Sequence, residues 1–278
     1  MSVASNTRPD PRAHFAFRSW LAVWSLAYRE WLRFIRQRNR VIGAIGQPLL
    51  FWLFFGEGLG PTFRLSGDAG SQISFREYFF PGTMALILLF TAIFTTISII
   101  EDRREGFMQS VLTAPMPRWA MVLGKLLGGS AIALAQGLLF LLLGLAVGIP
   151  FSLAGWSGAV LFAAIAALGL TGLGFVIAWR TDSVQGFHAI MSILLFPLWL
   201  LSGAFFPPPD GWLGWVMTFN PLTYAVAGLR HFIYWGDAAA TQGLPSVAVC
   251  WAVTVAFAAL TMWASWQVSA RRTAADML

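Results

Sequence analysis

The chain has a single cysteine, Cys250. It lies inside an apolar run, which excludes a disulfide framework and a cysteine-based metal cluster. Charge is scarce: 11% of the 278 residues are charged, where soluble domains carry about 25%. The histidines His14, His188 and His231 lie far apart. No GxxxxGKS/T phosphate loop, no GxGxxG after a strand and no HExxH pair occurs, so the common nucleotide and zinc-hydrolase chemistries lack their residues. No catalytic site and no metal site is expected. A membrane-embedded transferase would need His, Asp or Glu gathered near one interface, and these residues are dispersed. Carboxylates are also missing from the middle of the apolar runs, and no inverted repeat is evident, which speaks against an ion-coupled carrier.

What fills the chain instead is apolar surface. Hydrophobic residues make up 58%, with 24 Phe and 14 Trp, and the mean hydropathy is +0.69. A soluble protein of this size could not bury so much, so lipid is the solvent for most of it. Apolar runs cover about residues 41–59, 79–100, 126–149, 156–179, 187–206 and 244–268. Each is long enough to cross about 30 Å of hydrocarbon as a helix. The expected fold is an all-α integral membrane protein with six transmembrane helices. An amphipathic interfacial helix precedes them, and short re-entrant outer helices precede the last crossing. Gly144 and Gly148 form a GxxxG pair suited to close helix approach.

Residues 1–12 read as disordered, and the polar, basic start is no cleavable signal peptide. Over residues 13–40, at 100° per residue, Arg18, Arg29, Arg33, Arg36 and Arg40 fall within an arc of about 60°. Trp20, Trp24 and Trp31 lie opposite, the pattern of a helix lying in the membrane interface. Six crossings place all but Arg64, Arg76 and Arg230 of the 18 basic residues on one side. The positive-inside rule makes that side the cytoplasm, with both termini and the tail 269–278 on it. The net charge of +6 then reports orientation, not nucleic-acid binding. The outer segment 205–243 has too many Pro and polar residues to cross. It reads as short helices dipping into the outer leaflet, with Trp212, Trp215, Tyr224, Tyr234 and Trp235 at headgroup depth.

The charged island at residues 101–125 separates two of the longest apolar runs. Glu101, Asp102, Arg103, Arg104 and Glu105 end the second crossing. Gly106 permits a sharp turn, and residues 107–112 make one or two helical turns with Phe107 and Val111 on one face. Pro115 and Pro117 stop that helix, and Arg118, Trp119 and Lys125 anchor the third crossing. A short helix with an apolar face held clear of the membrane suits docking into another protein; a plain solvated turn is the alternative.

Two stretches carry a family resemblance. One runs from Arg104-Glu105-Gly106 through Leu112, then Ala114-Pro115, Arg118 and Leu123-Gly124-Lys125. The other is Leu201-Ser202-Gly203 with Phe206-Pro207, followed by Asn220-Pro221-Leu222-Thr223-Tyr224 and Leu229-Arg230. In this order and spacing the chain, over residues 41–268, resembles the membrane subunits of ABC-2 type ABC transporters, with the island most similar to the drug and lipophile branch. The resemblance implies a permease subunit in the plasma (bacterial inner) membrane that binds no cofactor itself. ATP and Mg would sit on a separate ABC ATPase subunit, and a second permease copy would complete the exporter, as a homodimer among membrane lipids. It further implies ATPase coupling through Glu101, Arg103, Arg104, Glu105, Gly106, Phe107, Val111 and Leu112, with Arg180 and Asp182 as a smaller contact. Gly203, Pro207, Asn220, Pro221, Tyr224 and Arg230 would form the outer re-entrant motif. Candidate path residues are Gln47, Phe51, Phe54, Thr91, Thr95, Met191, Leu195 and Trp199. A path rich in Phe, Met and Leu suits a lipophilic or amphipathic cargo; a lipid-linked glycan or polysaccharide is the alternative, since aromatic faces also stack on sugars.

Overall fold

The computed structural model describes residues 11–59, 74–114, 116–146, 148–150 and 152–270. Residues 1–10 and 271–278, most of the expected disordered start and tail, therefore lie outside it, as do Arg64 and Pro115. The described chain is all-helical: α1 Pro11–Arg36, α2 Arg38–Leu59, α3 Phe75–Thr95, α4 Ile97–Arg104, α5 Phe107–Thr113, α6 Arg118–Ala146, α7 Leu153–Trp179, α8 Val184–Trp199, α9 Trp212–Phe219, α10 Pro221–Ile233, α11 Ala238–Thr241 and α12 Val247–Ala270. A π-helical turn, Leu200–Ala204, extends α8. Six helices are long and apolar enough to cross a membrane: Val41–Leu59, Phe75–Arg104, Arg118–Ala146, Leu153–Trp179, Val184–Ala204 and Val247–Ala270. Each coincides with one of the six apolar runs.

The rod Phe75–Arg104 is the axis of the bundle, with 89% of its apolar window buried. Ser74 starts it with a capping box to Glu77, which satisfies two orphan amides of the first turn. Thr95 and Thr96 donate back to Ala92 O and Ile93 O, and such back-bonding bends the rod where α3 passes into α4. Helices α2, α6, α7, α8 and α10 pack around α3. By contrast α2 and α12 are only 19% and 22% buried over their windows, so both stand at the rim.

Lipid offers no hydrophobic gain for joining helices, so close packing and polar bonds must hold the bundle. Helix α1 shows this. Its buried stripe Val23, Leu26, Ala27, Glu30 and Phe34 lies lengthwise on the first half of α6, both helices running the same way. The approach is close at Gly124 and Gly128, where a Cβ would stand 2.9 Å from those of Leu26 and Glu30. Trp20 and Trp24 remain exposed on the far face. At about 1.5 Å per residue the rod and α6 are each over 40 Å long, so both project past a 30 Å hydrocarbon layer. The charged island is accordingly mostly helix: its first residues continue the rod and its last begin α6.

In the outer segment, helix α10 faces protein over most of its surface. Ten of its thirteen residues are buried, and it packs against α7, α12, α3 and the π-turn. Tyr234 is buried, its hydroxyl donating to Glu77 O at 2.7 Å, and burial pushes its phenol well above the usual tyrosine range. Trp212, Trp215 and Trp235 are exposed as expected. Gly144 meets the Phe80 ring, while Gly148 serves the turn after α6 at φ 85°; the pair does not form one packing face.

Candidate functional site

Where α4 leaves the apolar core, charged side chains from three helices converge on Asp102, which is fully buried. Its Oδ1 accepts from Arg29 Nη2 at 2.7 Å and Arg33 Nη1 at 2.9 Å. Its Oδ2 accepts from Arg29 Nη1 at 3.0 Å and from Lys125 Nζ. Lys125 Nζ also donates to Glu30 Oε1 at 2.6 Å and Ser98 Oγ at 3.3 Å. Arg33 Nη2 lies 2.8 Å from Glu101 and 3.6 Å from Glu105. Three cations thus face three close carboxylates, with Asp102, Glu30 and Lys125 buried and Arg29, Arg33 and Glu101 partly exposed. The buried three hold together because each is paired and hydrogen-bonded. The bond to Asp102 holds the Arg29 guanidinium further into its charged form, and it stacks over the Phe107 ring at 3.8 Å.

The expected coupling residues gather at this same end. Arg103 donates to Trp179 O at 2.8 Å and Thr181 O at 3.4 Å, and lies 3.8 Å from Asp182. It thereby ties the island to the turn after α7, while Arg104, Glu105, Arg180 and Asp182 stay exposed. Gly106 takes φ 74°, the left-handed conformation that a Cβ disfavours. The apolar face of α5, expected to be offered to a partner, is turned inward: Met108 is buried and Phe107, Val111 and Leu112 are half-buried against the core. The open face carries Gln109, Ser110 and Thr113. The rod and α6 extend far enough to give those apolar side chains an internal partner.

Beside this cluster a chamber of about 480 Å3 opens between α2, α3 and α8. Of the expected path residues, Gln47, Phe51, Thr91 and Thr95 line it. Phe54 does not, being 70% exposed on the outer side of α2. Met191, Leu195 and Trp199 do not either; they form the buried stripe by which α8 packs on the core. The stripe one residue along supplies His188 and Phe196 to the chamber, joined by Phe90 and Phe94 from α3. Glu101 lines its basic end.

At the opposite end the outer motif closes around the π-turn. Pro197 and the non-helical Leu201 leave carbonyls without helical donors. Asn220 Nδ2 donates to Leu198 O at 2.6 Å and Leu201 O at 2.9 Å, while its Oδ1 caps α10 at Leu222 N. Pro221 takes the first position of that helix. Gly203 turns at φ 74°, and its carbonyl accepts from Tyr78 Oη at 3.0 Å and Arg230 Nη2 at 3.4 Å. Arg230 also donates to Tyr78 O at 3.0 Å and lies over the Tyr78 ring. Tyr224 Oη donates to Thr218 O, and Pro207 is exposed. A charged end that ties three helices together, an apolar chamber and a braced opposite end suit passage of a molecule rather than its chemical conversion.

The profile of the family described as ABC-2 type transporter matches residues 21–234. The chain belongs to the ABC-2 type transporter family. Its relatives include the ycf38 protein of Cyanophora paradoxa, 27% identical over 75% of this chain and 72% of its own length. Nodulation protein J of Rhizobium leguminosarum bv. viciae is 25% identical over 76% and 81%. The inner membrane transport permease YadH of Escherichia coli K12 is 23% identical over 76% and 82%. As an ABC-2 membrane protein the chain is a transport permease.

Glu30, Asp102 and Lys125 were not legible as one site. Glu30 gave the one signal: it is the only carboxylate in the arginine-rich helix, set off the basic arc on the flank that turns out to be buried.

Proposed function

We propose that the chain is the membrane subunit of an ATP-driven exporter. It forms part of the path for a lipophilic or amphipathic compound, and a separate ATPase drives it from the basic end. The observation that carries this reading is the position of Glu101, which lines the chamber and is also paired with Arg33 in the ion cluster. A shift of α4 relative to α1 therefore changes the chamber wall directly. The basic end is the cytoplasmic one on the charge count, in the plasma (bacterial inner) membrane, with both termini there. The open polar face of α5, with Arg104, Glu105 and Asp182, is the surface offered to the ATPase, which carries the ATP and Mg. A second copy of the chain closes the open side of the chamber.

The chamber lining of Phe51, Phe90, Phe94 and Phe196 with Gln47, Thr91 and Thr95 suits an apolar body with a few hydrogen-bonding groups. The same amide and hydroxyl groups beside aromatic faces support a lipid-linked glycan as the second reading. ATP-dependent uptake of a fluorescent lipophile into inverted vesicles holding the chain and an ABC ATPase tests the proposal. Gly106→Ala strains the turn by about 1 kcal/mol and Glu105→Ala removes an exposed charge. Both variants should insert normally and lose at least half of the transport. Full transport in both would sink the coupling assignment. Uptake of a polyprenyl-linked sugar but no simple lipophile would move the cargo to the second reading.

A further inference from the structure

At its basic end the chamber between α2, α3 and α8 takes Glu101 into its wall. Among the described residues that line it, Glu101 is the only carboxylate, and none is a lysine or an arginine. The two oxygens of Glu101 are not alike. Oε2 is buried and stands 2.8 Å from Arg33 Nη2. Oε1 accepts no hydrogen bond from the described residues, and the side chain is 30% exposed. The arginine thus holds one oxygen from behind and leaves the other open.

The cluster behind this wall is short of one positive charge. Arg29, Arg33 and Lys125 are paired with Glu30, Asp102, Glu101 and Glu105, three cations to four carboxylates. Arg103, the next cation along α4, is engaged by Trp179 O and Asp182. The deficit falls on the edge that Arg33 alone serves. There Glu105 is 61% exposed, so water solvates it. Glu101 instead shares the chamber with Phe51, Phe90 and Phe94. A carboxylate beside apolar walls is costly unless a cation or donors meet it. Ring faces attract cations as well, so walls that shelter an apolar body also favour a positive charge on it. An anion would meet Glu101 as a like charge.

Resting on the exporter reading of the chamber, we propose that its cargo is a lipophilic cation, such as a protonated alkylamine or a quaternary ammonium compound, and that Glu101 selects it. The positive group sits at Glu101 Oε1 while the apolar body lies between Phe51, Phe90 and Phe196. Arg33 keeps Oε2, so the bound cation completes the charge balance of the cluster without breaking it. A neutral lipophile of the same shape fills the chamber but leaves Oε1 unpaired.

Diphenylhexatriene, its trimethylammonium derivative and its propionate are suitable probes, being fluorescent rods of similar shape that differ in charge. Binding is read as probe retained by phosphatidylcholine nanodiscs holding the full chain, above that held by empty nanodiscs. The trimethylammonium probe is expected to bind about ten-fold tighter than the neutral one, the effect of one desolvated cation contact, and the propionate weakest. Glu101→Gln should bring the cationic probe to the level of the neutral one and leave the neutral one unchanged. Glu57→Gln, at a carboxylate paired with Arg76 and outside the chamber lining, should keep the preference. Gln47→Lys, at an exposed position on the chamber wall, should reverse the order of cation and anion, and serves if Glu101→Gln fails to fold. Equal binding of the three probes, tightest binding of the propionate, or a cation preference that survives Glu101→Gln overturns the selectivity; ATP-driven uptake of the neutral probe would then still uphold the exporter reading. A preference that depends on Glu101, in a chain that supports no ATP-driven uptake, upholds the selectivity and counts against the exporter reading.

Discussion

Lys125 is the only lysine among the 18 basic residues, and it is buried. Its ammonium has three donors, and Glu30, Ser98 and Asp102 supply three acceptors. An arginine would bring a planar fork and two more donors into a space that has no acceptors for them. Lys125→Met keeps the stem and removes the charge, leaving two buried carboxylates facing each other. A loss of about 3–5 kcal/mol is expected, read as a lower unfolding midpoint in detergent. Adding Glu30→Gln should recover part of it, since among the described residues Glu30's other cationic neighbour is Arg29 at 3.4 Å. A double variant no better than the single would show that the two groups are not coupled. Arg230 presents the opposite case, a buried cation bonded to carbonyls alone. Arg230→Lys cannot bridge Tyr78 O and Gly203 O while stacking on the Tyr78 ring. It should cost about 1–3 kcal/mol, seen as faster proteolysis in the outer segment without loss of insertion.

At the scale of the element, α1 is a strap whose charged edge is turned inward. A free helix in the interface would present Arg29 and Arg33 to phosphates, yet here both are committed to Asp102. The strap depends on a close approach to α6, so Gly128→Leu should lift it away without disturbing the crossings. Cross-linking by a short bis-maleimide of cysteines placed at Trp20 and Trp119, whose rings are 5.8 Å apart, reports the docking. It should be efficient in the parent chain and lost in the Gly128→Leu chain. The six crossings were legible because lipid demands an unbroken apolar run wherever the backbone is not otherwise shielded. Gly203, Asn220 and Arg230, named from the resemblance, meet at one π-turn. Which face of each helix points inward was not legible. Met191, Leu195 and Trp199 differ by one residue from the stripe that meets the chamber, and in an all-apolar helix no polar contrast separates the two. The inward turn of α5 and the burial of Tyr234 depend on how far the rod and α10 extend. Those are tertiary facts with no local sequence mark.

For the whole molecule, the asymmetry of burial is the informative quantity. The rod is enclosed on nearly all sides, whereas α2 and α8 together offer Ile42, Leu50, Phe54, Ile190 and Ile193 outward, beside the chamber that they wall. The rim helix α12 is equally exposed at Leu260 and Trp263 but does not line the chamber. Exposure alone fits lipid contact in both places. The difference is that a chamber bounded on one side by open bilayer would fill with acyl chains, whereas a second copy facing it would enclose a path. Cysteines at Phe54 or Ile193, in a chain with Cys250 replaced by serine, should therefore cross-link two full-length chains within the membrane. A cysteine at Leu260 should not. The same set fixes the orientation: a membrane-impermeant maleimide should reach a cysteine at Gln109 only in inverted vesicles and one at Trp212 only in right-side-out vesicles, since these mark opposite ends of the bundle. Equal cross-linking at Phe54 and Leu260 would mean that random collision in the bilayer, and not a built interface, brings the copies together. The chamber would then have to be closed by lipid or by a different chain.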